Sequence, residues 1–313
     1  MAVMDALIAN ARKKQARIVF PEGSDERIAL ASAELEIQGI AHPIVIRESD
    51  ITEEAKSAYA RALSGSSGMP VEILEMMLAE PLNFASAMVA VGDADGLVAG
   101  LGCATTDVIL TGQMLIGLLD GISIPSSFFI MELDDKTIGE EGCLVFADCA
   151  VTVQPSADEL ADIAITTAKS ARNILGWEPR VAMLSFSSHG SAVHDDVTKV
   201  TQALEKVQNS RIDLAVDGEF QVDTALVASV ASSKIKRESA VAGKANVLIF
   251  PDLDAGNAGY KLVQRLAKAS SYGPVLQGFK KPVSDLSRGA TVEDIVGASI
   301  LVAAQVQRDV DAT

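Results

Sequence analysis

The chain has 313 residues, a formal net charge of −16, 49% hydrophobic residues and only 4% aromatics. That acidity excludes nucleic acid or an anionic membrane as the main partner, because both are held through broad basic surfaces. The length exceeds one ordinary core, and interiors stocked with Ala, Val, Ile and Leu suit parallel strands covered by helices, so the composition predicts two α/β domains.

The opening MAVMDALIANARKKQ places Met4, Leu7, Ile8 and Ala11 at helical spacing, without an apolar signal core, and predicts an ordinary helix of a cytoplasmic protein. RIVFPEG, residues 17–23, reads as a short buried strand entering a turn. The helix SDERIALASAELEIQG follows, with Ser24 as N-cap, Asp25 and Glu26 in the first turn and Gly39 as the stop. HPIVI completes a parallel βαβ unit. LSGSSGMP, residues 63–70, is the most linker-like segment. Helical patterning resumes from Val71 to Ala90, ADGLVAG reads as a strand, and TTDVILTGQMLIGLLDG as one apolar helix.

SSFFIMEL and CLVFADCAV predict two strands near a domain junction. In the helix PSADELADIAITTAKSARNILG, Ser156 and Glu159 form an S-x-x-E capping box and Gly176 ends the run. VAMLSFSSHGSA is a strand opening into a small-residue loop, and DLAVDGEF and NVLIFPDLDAGNAGYKLVQRLAKA repeat the strand and loop scheme. IFPDLDAGNAG echoes the earlier VFPEGSD, as two halves of similar build would. No apolar run approaches the ~18 residues of a membrane span. Cys103, Cys143 and Cys149 form no C-x-x-C pair and read as reduced core residues.

Short motifs are mostly incomplete. GLGCAT begins like a dinucleotide fingerprint but lacks the third glycine, and GPVLQGFKK has Phe279 where a P-loop needs Lys, which leaves a turn. His189, His194, Asp195 and Asp196 have no metal-ligand spacing and read as a solvated helix start, at which Gly190 and Ser191 could offer backbone N–H groups. Between Lys261 and Arg288, six basic residues face one acid, Asp285. Within KKPVSDLSRGATVEDIV, Ser287, Arg288 and Gly289 stand just before a helix start, where unpaired N–H groups and the helix dipole suit an anion. Asp294 lies six residues past the arginine. A carboxylate beside an anion site fits acyl-phosphate chemistry, yet Thr291 and Asp294 also match [ST]-x-x-[DE], so the local sequence leaves a base and a cap open.

Taken together, RIVFPEGSDER, LVFADCAVTVQPSADELADIA, EPRVAMLSFSSHGSA, VAGKANVLIFPDLDAGNAGYKLVQRLAKA and GPVLQGFKKPVSDLSRGATVEDIV resemble the phosphate acetyltransferase and phosphate butyryltransferase family over nearly the whole chain. The resemblance implies transfer of an acetyl or other short acyl group between acyl phosphate and coenzyme A, with coenzyme A or acetyl-CoA as substrate, no bound cofactor and no metal. It implies two α/β/α domains with mostly parallel sheets, a cleft between them and a homodimer. The expected bounds are 1–127 with 283–313, and 128–282. Asp294 would take the thiol proton, Arg288 would hold phosphate, and Ser287 would stabilise charge on the carbonyl oxygen. Ser187, His189, Gly190, Ser191, Asn257, Lys261 and Gly289 would bind substrate. The chain departs from the family where cleft arginines are expected, near 63–68 and at Leu110 or Thr111. A redirected acyl preference such as butyryl or propionyl, a weakly active enzyme, or a non-catalytic paralogue that binds coenzyme A or an anion or acts as a regulatory protein, are the alternatives this raises.

Overall fold

A computed structural model of the chain describes residues 2–210 and 212–306. Helix α1 (Ala2–Lys14) precedes strand β1 (Ala16–Phe20), whose Ile18, Val19 and Phe20 are fully buried. Helix α2 (Glu26–Ile37) and strand β2 (Ala41–Val45) complete the first parallel βαβ unit. Its N-cap is Asp25, not Ser24: the carboxylate accepts the Arg27 N–H at 2.9 Å and is itself paired with the Arg27 guanidinium. Helix α3 (Glu53–Ser67) runs through most of the expected linker, because Leu63 is a buried position of its apolar stripe and the small residues after it form the last turn before Gly68.

The helical stretch expected over Val71 to Ala90 is two helices, α4 (Val71–Met77) and α5 (Pro81–Val91), since Pro81 cannot continue the first and instead opens the second. Strand β3 (Gly96–Ala99) then leads to α6 (Thr105–Thr111). The single helix expected over TTDVILTGQMLIGLLDG is α6 continued by one π-type turn at Gly112–Ile116, where Gly112 packs so close to Phe279 that a Cβ would meet the ring at 2.9 Å.

Strands β4 (Ser126–Glu132) and β5 (Cys143–Ala147) pair antiparallel. The capping box of α7 (Ala157–Leu175) forms as its sequence requires, with both Ser156 and Glu159 bonds made. After it come β6 (Arg180–Leu184), α8 (Asp195–Asn209), β7 (Ala215–Phe220), α9 (Val222–Leu226), α10 (Ala228–Lys234), β8 (Val247–Ile249) and α11 (Leu253–Leu266). Strand β9 (Ser270–Gln277) takes most of the expected GPVLQGFKK turn and pairs antiparallel with β4. Gly273 makes that possible: at φ +146° it passes a bulge in β4, where a Cβ would lie 2.8 Å from the Phe128 carbonyl oxygen. The chain closes with β10 (Val283–Asp285) and α12 (Val292–Gln305).

Two compact units result, one formed up to Asp120 and from Phe279 onward, the other by Gly121–Gly278. The first holds a four-stranded parallel sheet in the order β10-β3-β1-β2. Helices α1 and α2 both pack on α12 on one face, and α5 packs on β1 and β3. The second holds a six-stranded sheet, β7-β6-β8-β5-β4-β9, in which only β4 runs against its neighbours. One face carries Phe129, Phe146, Leu184, Phe220 and Leu248 against α9 to α11, with the Tyr260 ring stacked 4.2 Å from Phe129. The other face, carrying Phe128, Ile130, Val145 and Met183 by alternation, lies under α7 and α8.

Candidate active site

In open α/β sheets, ligands sit beyond the carboxyl ends of neighbouring strands whose following helices leave to opposite faces. The first unit has such a point where β1 and β10 feed α2 and α12 on one face while β3, between them, feeds α6 beside α5. Three loops meet there. Glu22, just past β1, accepts the Gly102 N–H at 2.6 Å and the Gly100 N–H at 3.2 Å through Oε1. Gly100 has φ +124°, and a Cβ would stand 2.4 Å from the Leu286 carbonyl oxygen, so only glycine lets the β3 and β10 loops approach. Thr105 donates to Asp285 at 2.6 Å. Arg27 donates to the carbonyls of Arg288 at 3.0 Å and Ala290 at 2.8 Å while Asp25 holds its far edge.

The loop fixed in this way is Ser287-Arg288-Gly289, all three exposed. The Ser287 hydroxyl accepts the Gly289 N–H at 3.3 Å, and the Arg288 side chain makes no hydrogen bond or ion pair with the described residues. Asp294 is the N3 residue of a complete capping box: its N–H donates to Thr291 Oγ1 at 3.2 Å, and its Oδ2 accepts the Thr291 N–H at 2.9 Å. The cap occupies one carboxylate oxygen and leaves Oδ1 without a partner among the described residues. A cation, a hydroxyl and a half-free carboxylate thus stand at the start of α12.

Two carboxylates, Glu22 and Asp285, lie close together under these loops. Burial pushes the Asp285 carboxyl up from its ordinary range and Glu22 adds to the effect, against the opposing Thr105 hydrogen bond. Asp285 Oδ1 and Glu22 Oε2 are both buried without a partner. The Cys103 thiol, half-buried next to Glu22, is pushed up to about 11 by burial and by the carboxylates around it, so it stays protonated and is a poor nucleophile.

The second unit switches where β5 and β6 feed α7 and α8 while β8, between them, feeds α11. Ser187, His189, Gly190 and Ser191 form the loop after β6, and Asn257 and Lys261 lie one helical turn apart on α11 after β8. The Asn257 amide donates to the Cys149 carbonyl at 3.0 Å, and Lys261 is exposed, its ammonium 5.8 Å from the Tyr260 ring centre. His194 N-caps α8 through its ring nitrogen, as a solvated helix start requires.

The Gly190 and Ser191 N–H groups are not free. Gly190 donates to Glu219 Oε1 at 2.8 Å and Ser191 to the Ser188 carbonyl at 3.2 Å. Sequence reasoning passed over Glu219, Glu22 and Arg27; the only trace of each is an acid or base within two residues of a strand end or helix start. Of Leu110 and Thr111, at one of which the family resemblance places an arginine, Leu110 is exposed on α6 and Thr111 is buried.

The family model for phosphate acetyl/butaryl transferase matches residues 2–63 and 50–303. The chain belongs to this family. It is 42% identical to a phosphate acetyltransferase of Clostridium acetobutylicum, with 99% of this chain and 100% of that one covered. A phosphotransacetylase structure from Streptococcus pyogenes superposes with a TM-score of 0.87 at 37% identity, over 97% of this chain and 98% of that one. One from Staphylococcus aureus gives 0.88 at 35% identity, over 98% of each. A branched-chain phosphotransacylase from Enterococcus faecalis, 18% identical with a TM-score of 0.65 over 93% of this chain and 99% of that one, shares the fold. The mostly parallel α/β architecture is therefore that of the acetyl/butaryl transferase family. No described helix is long and apolar enough to cross a membrane.

Proposed function

We propose that this chain is a phosphate acetyltransferase, moving an acetyl group reversibly between acetyl phosphate and coenzyme A, and that it works as a cytoplasmic homodimer. The observation that carries the reading is the Ser287-Arg288-Gly289 loop, tied down by Arg27 beside the capped start of α12, in a chain whose full length matches phosphate acetyltransferases.

In this reading Asp294 Oδ1 takes the proton of the coenzyme A thiol. A thiol of pKa ~8.5 is mostly protonated at neutral pH, so a positioned base raises the fraction that attacks. The thiolate sulfur forms a bond to the carbonyl carbon of acetyl phosphate, and the carbonyl electrons move onto oxygen. Ser287 Oγ donates to that oxyanion. The oxyanion then collapses, the bond from carbon to the bridging phosphate oxygen breaks, and inorganic phosphate leaves on the planar guanidinium of Arg288. Direct attack leaves no acyl-enzyme, which agrees with a Cys103 thiol held protonated.

The test is turnover of acetyl, propionyl and butyryl phosphate with coenzyme A by purified protein. Acetyl phosphate should be consumed fastest. Faster use of butyryl phosphate would move the chain to the butyryl branch of the family, and no turnover with any of the three would leave a binding protein.

A further inference from the structure

Glu219, near the end of β7, is 4% exposed, and no described cation is paired with it. Its Oε1 accepts the Ser187 hydroxyl at 2.7 Å and the Gly190 N–H at 2.8 Å, and its main-chain oxygen accepts the His189 N–H at 3.1 Å. Oε2 accepts nothing from the described residues and is not among the fully enclosed orphan atoms. The remaining amides from Ser187 to Ala192 are equally committed. Ser187 N–H goes to Ser185 Oγ at 3.2 Å, Ser188 N–H to Ser191 Oγ at 3.0 Å, Ser191 N–H to the Ser188 carbonyl and Ala192 N–H to Ser187 Oγ at 3.1 Å.

An anion arriving at Ser187 to Ala192 would find every amide there committed and would meet a carboxylate. A neutral N–H or O–H donor would satisfy the spare oxygen of a buried carboxyl group, which is costly to leave bare. The loop is also flanked by exposed apolar side chains, Phe186 at 57% and Val193 at 98%. Acetyl phosphate, as the dianion, has no donor to offer; coenzyme A carries amide N–H groups and hydroxyls along an otherwise uncharged arm.

We propose that Glu219 contacts the thiol substrate, with Oε2 accepting a hydrogen bond from an amide or hydroxyl of the uncharged arm of coenzyme A, and that the Ser187 to Ala192 loop is an arm-binding element and not a phosphate cradle. The proposal rests on the acyltransfer reading above. Its corollary is that phosphate recognition lies with Arg288.

The decisive variant is Glu219→Gln. Its carbonyl oxygen can still accept from Ser187 and Gly190, while the atom in the place of Oε2 becomes a donor. The KM for coenzyme A should rise by about tenfold, as loss of one hydrogen bond to a charged group does, with the KM for acetyl phosphate changed less than about threefold and the melting temperature kept. An unchanged coenzyme A KM, or equal rises for both substrates, overturns the proposal. If the Gln variant does not fold, Glu219→Asp keeps the charge but withdraws the oxygens from the loop, and the same split between the two KM values decides. Wild-type protein that fails to turn over coenzyme A and acetyl phosphate would sink the acyltransfer reading instead, and so separates the two failures.

Discussion

The Asp294 cap leaves room for the proton transfer proposed for the same side chain. The capping box uses Oδ2 and the main-chain N–H, and the proposed base uses Oδ1. Asp294→Asn keeps an acceptor for the Thr291 N–H but cannot take a proton, so turnover should fall by roughly 10²–10⁴-fold with the melting temperature nearly unchanged. Full activity in a folded Asn variant would remove Asp294 from the chemistry. Asp285 makes the opposite kind of demand. Its carboxyl is raised above its ordinary 3.8 by burial, with Glu22 adding, so over that interval the folded protein holds a proton that the unfolded chain has released. Stability from this group is present below the ordinary value and is lost as pH rises toward the folded one. Asp285→Asn should therefore melt higher than wild type at pH ~7 and lose that advantage at pH ~4. A constant difference between the two melts would contradict the assignment.

At the scale of elements, the Ser287-Arg288-Gly289 loop owes its shape to α2 as much as to its own sequence. Arg27→Ala frees the Arg288 and Ala290 carbonyls, and the expected result is a drop in turnover of between about tenfold and 10²-fold, the cost of a misplaced reacting group. Circular dichroism melts should stay near wild type; a collapse of both stability and activity would make Arg27 a purely structural residue. Elements with strong local signals were legible in the sequence: the α7 capping box, the strand after Arg17 and the helix start after Thr291 all form where their residues put them. The linker expected at 63–70 was not legible, because Gly and Ser in the last turn of α3 look like a flexible stretch until Leu63 is seen to be buried. GPVLQGFKK failed for a different reason: only its antiparallel partner β4 shows that Gly273 and Pro274 belong to a strand. Of the candidate site, the residues of Ser287 to Asp294 carried a local signal, whereas Glu22, Arg27 and Glu219 act through contacts with distant segments, which spacing cannot reveal. The rhyme between VFPEGSD and IFPDLDA is kept in part, since both follow a parallel strand into a helix, but Glu22 reaches across to β3 while Asp252 caps its own α11.

For the whole molecule, net charge opposes association with an anionic substrate, and local cations oppose that in turn. At −16 the long-range field repels coenzyme A, and the exposed cations between Lys261 and Arg288 are the local exception. Salt screens both, but contacts at short range are screened least, so the KM for coenzyme A should vary with ionic strength below about 0.15 M, where the Debye length exceeds ~8 Å. If the local cations govern capture, KM rises with salt; a KM that falls would show the overall repulsion to be in control, and a flat profile would show that neither matters.

Strand β10 and helix α12 lie far downstream of β3, to which β10 pairs, and this separation sets an expected order of assembly. The first unit's sheet lacks an edge strand, and a helix burying Ile295, Ile300, Leu301 and Val302, until residues far downstream have been made. The second unit is continuous, and its first and last strands pair, Ser126 opposite Gln277. Gly121–Gly278 alone should therefore give a cooperative melt, and residues 1–120 alone should not. On the ribosome, the segment that emerges first waits as an open-edged sheet while the later one folds, and it is through that interval that chaperone capture or a stalled chain would do the most harm.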